Sequence, residues 1–237
     1  MPLKELTFDT FVAEIHKVCD ELPDYRKPSP NLTYSIKESV LGAFSIFFNQ
    51  SPSFLSHQRA MQQAEGCNNA QSLFGITRIM SENQIRNNVA PVAPDYFYPV
   101  FSTTFDFLSD SGHLNNYRIF NDCLLVPIDG TEFFRSSKIS CENCSVSNHS
   151  NGKTSYSHKV LTPVTVAPGN NKVIPPEPEF VTPQDGATKQ DCELNAAKRL
   201  IKRNYFLADQ KVVIMGDDLF SGSPFCKLLS EFWNLSI

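Results

Sequence analysis

Long apolar runs are missing from the sequence. No stretch of about 18 consecutive apolar residues occurs in the 237 residues, so we expect no membrane-spanning helix. The first residues, Met-Pro-Leu-Lys-Glu-Leu, also lack the apolar segment of a secretory signal. We therefore expect a cytoplasmic protein that has no membrane partner.

An excess of one charge is missing as well. The sequence has 21 Lys and Arg residues and 25 Asp and Glu residues, which gives a net charge of -4. This charge argues against a protein whose whole surface binds nucleic acid, so any DNA binding should be local. A hydrophobic content of 41% is typical of a globular protein. The sequence has seven cysteines and no export signal, and an odd number of cysteines cannot all pair with one another. We therefore expect most of them to be reduced thiols.

The first part of the chain, residues 1–115, is predicted to be helical and to be a candidate for DNA binding. Thr7 can cap a helix whose apolar residues recur at helical spacing, and Pro23 follows the end of that pattern. Ser35 and Glu38 form the pattern of a capping box and predict a second helix. The aromatic segment 96–108 predicts another buried helix, whereas the polar segment 62–88 has no predicted structure.

Residues 116–237 are predicted to form a mixed β-sheet with flanking helices, so the fold class is α/β. Strands are expected at 123–129, at 154–167 and at 172–182, the last two joined by a Pro-Gly-Asn turn. A helix from Thr188, a strand at 211–217 and a helix from Ser223 complete the order β, β, β, α, β, α.

Two of these apolar strands end on an acid, Asp129 and Asp217. If the two strands are neighbours in one sheet, the two carboxylates lie side by side and can bind Mg²⁺ or Mn²⁺ for phosphoryl-transfer chemistry. The alternative is structural. In that interpretation Asp129-Gly130 is a hairpin turn, and Asp217 or Asp218 caps the following helix.

Several motifs follow one another in order between about residues 69 and 229. Two of them are Pro-Ile-Asp-Gly-Thr-Glu around Asp129 and Gly-Asp-Asp-Leu-Phe around Asp217. The full set of segments is 71–75, 83–86, 124–134, 141–144, 156–164, 182–186, 189–192 and 216–220. Together these segments resemble the DDE-type transposases of bacterial insertion sequences.

The resemblance implies a ribonuclease-H-like domain in which two Asp and one Glu hold two Mg²⁺ ions. Such an enzyme cuts DNA at the element ends and joins the freed 3'-hydroxyl to target DNA. The first two acids of the pattern correspond to Asp129 and Asp217. The third acid of the family lies on a later helix, beyond the end of this sequence at Ile237, and Glu231 is a poor substitute for it.

We therefore expect a C-terminally truncated transposase with an incomplete catalytic domain. Its expected partner is DNA, and it is expected to form a homo-oligomer or a mixed oligomer with intact transposase. The main alternative is a catalytically inactive DNA-binding fragment that regulates or joins an intact transposase. A further alternative is a structural module that contains zinc and has no nucleic-acid role.

A zinc site is suggested by Cys141, Cys144, His149 and His158. Two cysteines separated by two residues, followed by two histidines, offer four ligands for a tetrahedral Zn²⁺ ion. The alternative is a polar loop with two reduced cysteines and two surface histidines. His158 has a third interpretation, in which it faces the active site and contacts DNA phosphate.

A basic cluster lies on the helix predicted from Thr188. Most such clusters are solvated faces, and the alternative is a surface that contacts DNA phosphates. The cluster consists of Lys198, Arg199, Lys202 and Arg203.

Overall fold

The computed structural model describes residues 7–182, 191–203 and 210–232. The chain is mixed α/β and divides into two compact units, Met1–Phe107 and Leu108–Ile237. The domain boundary predicted after residue 115 is close to this division. Within the described ranges no helix combines the length and the apolar character needed to cross a membrane.

Helices form the described part of the first unit. The segment 62–88, for which the sequence predicted no structure, contains two of them. The helices are α1 (Phe8–Asp20), α2 (Ile36–Phe48), α3 (Phe54–Met61), α4 (Ala64–Phe74), α5 (Glu82–Val89) and, after a 3₁₀ turn at Pro94–Phe97, α6 (Tyr98–Asp110).

Side-chain caps fix where the first two helices begin, as the sequence predicted. The Thr7 hydroxyl accepts a hydrogen bond from the Thr10 backbone N–H, and the Ser35 hydroxyl accepts one from the Glu38 N–H. Glu38 also bonds back to the Ser35 N–H and closes the capping box. The aromatic helix α6 is less buried than predicted, because Phe105 is its one fully buried residue.

Phenylalanine forms much of the core of the first unit. Phe74 is completely buried, and the rings of Phe8, Phe44 and Phe48 meet it edge to face at centroid distances of 5.7–6.3 Å. Full burial of a ring such as that of Phe74 contributes about 1.5–3 kcal/mol, and ring pairs in this arrangement add to that value. These contacts hold α1, α2 and α4 together.

The described part of the second unit contains a six-stranded sheet and two helices. A 3₁₀ turn at His113–Tyr117 precedes the first strand. The elements are β1 (Arg118–Ile119), β2 (Cys123–Ser136), β3 (Ser145–Asn148), β4 (Thr154–Pro163), β5 (Glu179–Val181), α7 (Glu193–Arg203), β6 (Val212–Met215) and α8 (Ser223–Phe232).

Strand β2 is central in this sheet. It pairs with β6 in parallel and with β1 and β4 in antiparallel orientation. Strands β3 and β5 pair with the opposite edge of β4, so four of the strands follow the order β5-β4-β2-β6. The predicted mixed sheet is therefore present, with β1 beside β2 and β3 beside β4 as additional strands.

The prediction that a strand ends at Asp129 was wrong. Strand β2 continues to Ser136, and Asp129 and Gly130 pair with Thr162 and Leu161 of β4. The alternative of a hairpin turn at Asp129-Gly130 was wrong for the same reason. Hydrogen bonds from β4 extend the strand beyond the apolar run on which the prediction rested.

Prolines shorten the strands predicted at 154–167 and 172–182. Strand β4 ends at Pro163, and in the second segment only Glu179–Val181 forms a strand, because Pro175 and Pro178 lack the N–H that a ladder requires. The predicted turn between them is present, with Gly169 at φ +78°. Helix α7 begins at Glu193, and its predicted cap, Thr188, lies outside the described residues.

Helix α7 covers one face of the sheet. Its residues Ala196, Ala197, Leu200 and Ile201 are at most 1% exposed. They belong to a cluster that includes Ile128 of β2, Leu161 of β4, Val181 of β5, Phe220 and Phe225. This packing holds the parallel strands β2 and β6 and the antiparallel strands β4 and β5 in one layer.

Candidate metal centre

Three of the four predicted zinc ligands meet in the structure. The Sγ atoms of Cys141 and Cys144 are 3.7 Å apart, and Nε2 of His158 lies 3.3 Å and 3.4 Å from them. In the described ranges this is the one group of three or more His, Cys, Asp or Glu side chains whose ligand atoms lie within 4.8 Å of one another. The cluster can hold a metal ion such as zinc.

The three distances fit a tetrahedral ion. Zinc binds sulfur at about 2.3 Å and imidazole nitrogen at about 2.0–2.1 Å, so tetrahedral ligands stand about 3.8 Å (S to S) and about 3.5 Å (S to N) apart. The observed separations of 3.7, 3.3 and 3.4 Å agree with these values. They do not fit a disulfide, whose sulfur atoms are about 2.05 Å apart, and both cysteines are free thiols.

A tight turn between β2 and β3 brings the two cysteines together. The Cys144 N–H donates to the Cys141 carbonyl oxygen at 3.2 Å, and the Cys141 N–H donates to Sγ of Cys144 at 3.3 Å. Cys144 directly precedes β3, whose first residue, Ser145, pairs with Ser157 of β4. His158 is the next residue of β4, so the β3–β4 pairing places its ring beside the turn.

A β-bulge in β2 supports the ring of His158. The pairing of β2 with β4 shifts between Glu132 and Phe134, which makes Phe133 the extra residue. The Phe133 ring stacks on the His158 ring at 5.7 Å and 15°, and the Phe134 ring lies 5.5 Å from it. The bulge thus lets two consecutive side chains contact the same imidazole and fix its orientation.

The two thiols differ in exposure. Cys144 is buried and Cys141 is exposed to solvent. Desolvation around Sγ raises the pKa of Cys141, and the Cys144 thiol raises it further, so the Cys141 thiol is protonated at neutral pH when it binds no metal. Metal binding must therefore release protons, as is usual for thiolate sites.

His149, the fourth predicted ligand, is not part of the centre. Its Nε2 lies 2.9 Å from the Ser155 hydroxyl oxygen, at the far end of the β3–β4 hairpin. The extended backbone of β3 rises about 3.3 Å per residue and carries His149 about 16 Å from Cys144 along the strand. A spacing of four residues would bring His149 to the metal only if that segment were a turn.

Asp129 lies in β2, and Asp217 follows the end of the neighbouring strand β6. In the parallel pairing of β2 with β6, Pro127 is the partner of Met215, and each aspartate comes two residues further along its chain. Both residues are exposed. Asp129 Oδ1 accepts a hydrogen bond from the Gly130 N–H at 2.7 Å. No third acid of the described ranges joins the two aspartates within the 4.8 Å limit, Glu231 included.

The predicted capping role of Asp217 was correct. Asp217 precedes the 3₁₀ turn Asp218–Phe220, and its Oδ1 accepts a hydrogen bond from the Leu219 N–H at 3.0 Å. One carboxylate oxygen is used in this cap, and the exposed side chain can still offer its other oxygen to a cation. Capping and metal binding are therefore compatible at this residue.

Two of the four basic residues predicted to contact DNA are engaged within the protein. Arg199 donates to Glu179 at 2.7 Å and to Asp191 at 2.8 Å, and Arg203 donates to Glu177 at 3.1 Å and also to Glu179. Burial lowers the pKa of Arg199, but the hydrogen bonds that it donates to Asp191 and Glu179 outweigh this effect and raise the pKa above its ordinary value. The continuous phosphate-binding face predicted on α7 is thus not formed by these arginines.

The sequence reasoning missed a contact beside Asp129. The Glu193 carboxylate lies against the Cα of Gly130, and the Lys159 ammonium group holds it at 3.0 Å. A glycine after Asp129 was read only as a turn signal. The absence of a side chain at position 130 inside a strand could have indicated this close approach.

No protein-family model, no curated protein and no solved structure matches this chain. The assignment of a function therefore depends on the residues and geometry of the chain itself.

Proposed function

We propose that this chain carries the catalytic domain of a DDE-type transposase and acts in DNA transposition. The observation that carries the proposal is the parallel pairing of β2 with β6, in which Pro127 opposes Met215. Adjacent strands lie about 4.8 Å apart, so continuation of this register brings Asp129 and Asp217 opposite each other. The sequence motifs around both aspartates support the same function.

The order of the strands supports a ribonuclease-H-like fold for this domain. Strands β2, β4 and β5 are antiparallel neighbours in this order, with the short strand β3 inserted in the chain between β2 and β4. Helix α7 then crosses one face of the sheet, and β6 returns parallel to β2. This connectivity agrees with the fold that the resemblance implies. It puts the first and the last of these strands side by side.

Paired carboxylates at such a position suit Mg²⁺ or Mn²⁺. Both ions prefer oxygen ligands, and in two-metal phosphoryl transfer they activate the attacking oxygen and stabilise the leaving one. Like charges that approach each other also favour a bound cation over two free carboxylates. The proposed substrates are the DNA ends of an insertion sequence and target DNA, bound by a homo-oligomer or by a mixed oligomer with intact transposase.

Divalent-ion binding tests the role of the two aspartates. The full chain should bind Mn²⁺, measured from the electron paramagnetic resonance signal of free Mn²⁺, and Asp129→Asn or Asp217→Asn should weaken that binding at least tenfold. Asp218→Asn is the matched control, because it removes the neighbouring exposed carboxylate and should leave Mn²⁺ affinity within twofold. Equal Mn²⁺ affinity in all four proteins would refute the shared site.

DNA binding and cleavage separate the transposase from its main alternative. Labelled element-end DNA should bind the chain with a steep salt dependence, and any Mn²⁺-dependent nicking should disappear in Asp129→Asn. DNA binding without nicking, together with equal Mn²⁺ affinity in the variants, would favour the inactive DNA-binding fragment. No DNA binding at low salt would contradict both.

We propose zinc as the metal of the Cys141, Cys144 and His158 centre, with a structural role. Two soft thiolates and one imidazole favour Zn²⁺ over Mg²⁺, and the ion would tie the β2–β3 turn to β4. The purified chain should contain about one equivalent of zinc. Cys144→Ser should lose the zinc and melt at a lower temperature, whereas Cys192→Ser, at an exposed cysteine outside the centre, should keep it.

Retained zinc would also be expected of the third candidate, a structural module with no nucleic-acid role. The Cys2His geometry favours that candidate as much as it favours a transposase. Zinc binding without any affinity for DNA would support it and contradict the other two.

A further inference from the structure

We infer that the metal centre at Cys141, Cys144 and His158 has a fourth coordination position that takes a ligand from outside the chain. The expected ligand is a single soft donor with an apolar body, such as an imidazole or a thiol, which replaces a bound water molecule. This inference rests on the metal centre proposed above and goes beyond its structural role.

The soft metal ligands available in the chain are its seven cysteines and five histidines. All of them belong to the described ranges. Apart from the three members of the centre, none of these cysteines or histidines lies within 4.8 Å of the group. His149, the nearest candidate in sequence, is held by Ser155 at the other end of its hairpin.

Cys192 is excluded by its position on the other face of the sheet. It lines a cavity together with Ser157 and Lys159 of β4. Successive residues of a strand point to opposite faces, so His158 faces away from Ser157, Lys159 and that cavity. The chain therefore supplies three soft ligands to a metal that prefers four.

Solvent and small ligands can reach the metal centre. The exposed thiol of Cys141 opens the centre to solvent on one side, while Cys144 is buried. Three exposed apolar side chains lie close to the ligands in sequence or in space: Phe133 is 56% exposed, Ile139 67% and Val146 43%. Phe133 also stacks on the His158 ligand itself.

These neighbours decide which ligand class is favoured. A small anion such as acetate would gain nothing from the apolar side chains, whereas an imidazole ring or an alkyl thiol can bind the metal and bury apolar surface against Phe133. Three protein ligands with one exchangeable position are the arrangement of metal sites that bind exogenous ligands, in contrast to closed four-ligand structural sites. The exchange is a simple substitution: water leaves and the nitrogen or sulfur donor takes its place.

Cobalt spectroscopy on the full chain tests the inference. Co²⁺ replaces Zn²⁺ in tetrahedral sites and reports its ligands in the visible absorption spectrum. Addition of imidazole, and separately of 2-mercaptoethanol, should change the spectrum of the Co²⁺ protein in a saturable manner. Acetate should bind the Co²⁺ protein with an affinity at least tenfold lower than that of imidazole or 2-mercaptoethanol.

Two variants make the result specific. His149→Asn should show the same imidazole titration as the unmodified chain, because His149 is not a ligand. Phe133→Ala should bind imidazole several-fold more weakly while it still takes up Co²⁺. A spectrum that does not respond to imidazole, or one that changes on His149→Asn, would show a closed site and overturn the inference.

Failure of the underlying metal centre gives a different result. If the chain takes up no Co²⁺ or Zn²⁺, both the centre and its open position are refuted. If it takes up one equivalent that is lost in Cys144→Ser but is insensitive to added ligands, the centre stands and only the open position is refuted.

Discussion

The carboxylate of Glu193 rests directly on the backbone of Gly130. A methyl group at position 130 would stand 2.5 Å from Cδ and 2.6 Å from Oε2 of Glu193, closer than atoms can approach without movement. Lys159 fixes the carboxylate from the other side through an ion pair of 3.0 Å. The start of α7 is thus seated on β2 at the residue that follows Asp129.

Gly130→Ala should destabilise the fold, because the new methyl group must displace the Glu193 carboxylate. We expect a loss of about 1–3 kcal/mol in the free energy of unfolding, the usual cost of overpacking, measured by urea denaturation. In a Glu193→Ala background the same substitution should cost less than half as much. An equal loss in both backgrounds would show that Glu193 is not the obstacle.

Arg203→Ala should destabilise the second unit by about 2–3 kcal/mol. The substitution removes one cation from the buried carboxylates of Glu177 and Glu179, and removal of one member of a buried pair is costly. The expected loss is smaller than for a fully buried pair because the Arg203 side chain is 30% exposed.

Lys202→Ala provides the control for Arg203. Lys202 is the preceding residue of α7 and is exposed, so its replacement should change the unfolding free energy by about 0.5 kcal/mol or less. Similar losses for the two variants in urea denaturation would contradict the structural role of the arginine network.

Phe133→Ala should weaken metal binding without abolishing it. The ring stacks on His158 and restricts its orientation, and loss of such support lowers metal affinity by roughly tenfold. Competition with a chromophoric zinc chelator measures the change. Ile139→Ala removes another exposed apolar side chain and should leave the zinc affinity within about twofold.

The first unit should lose stability as the pH falls from about 7 to 5, through His57. Burial lowers the pKa of His57 below its ordinary value of 6.5, so below pH 6.5 the unfolded chain binds a proton that the folded chain resists. Stability therefore falls with pH by at most about 1.4 kcal/mol per pH unit. His57→Gln should flatten this dependence of the urea unfolding free energy, whereas His113→Gln should keep it.

The local signals in the sequence predicted the elements of the fold well. The caps at Thr7 and Ser35 and the predicted order of strands and helices after Cys123 depend on short-range patterns. The structure contains them, together with one strand, β3, that was not predicted. The polar segment that became α4 and α5 was missed because few apolar residues mark its buried side. Packing of Ala70 and Phe74 into the core stabilises it there.

The parts of the site that the sequence could not predict depend on contacts between segments that are far apart in the chain. Cys141, Cys144 and His158 were predicted as ligands from residue type and spacing, and the structure brings them together. His149 was included because a strand between Cys144 and His149 was not foreseen. Arg199 and Arg203 were considered for contact with DNA because they are basic residues of one predicted helix. Their acidic partners lie on segments that only the tertiary fold brings to α7. The closeness of the Asp129 and Asp217 carboxylates stays a prediction.

The bulge at Phe133 makes residue count as important as residue type in this part of the chain. Before the bulge Glu132 lies on the face of β2 that carries Gly130, and after it Arg135 returns to that face and pairs with Glu132. A further residue inserted between them, with the bulge kept, would exchange the two faces and turn Arg135 toward the metal ligands. Removal of Phe133 would leave Arg135 on its face but take away one of the two rings that contact His158. Natural variants of this segment should therefore change their side chains more freely than they change their length.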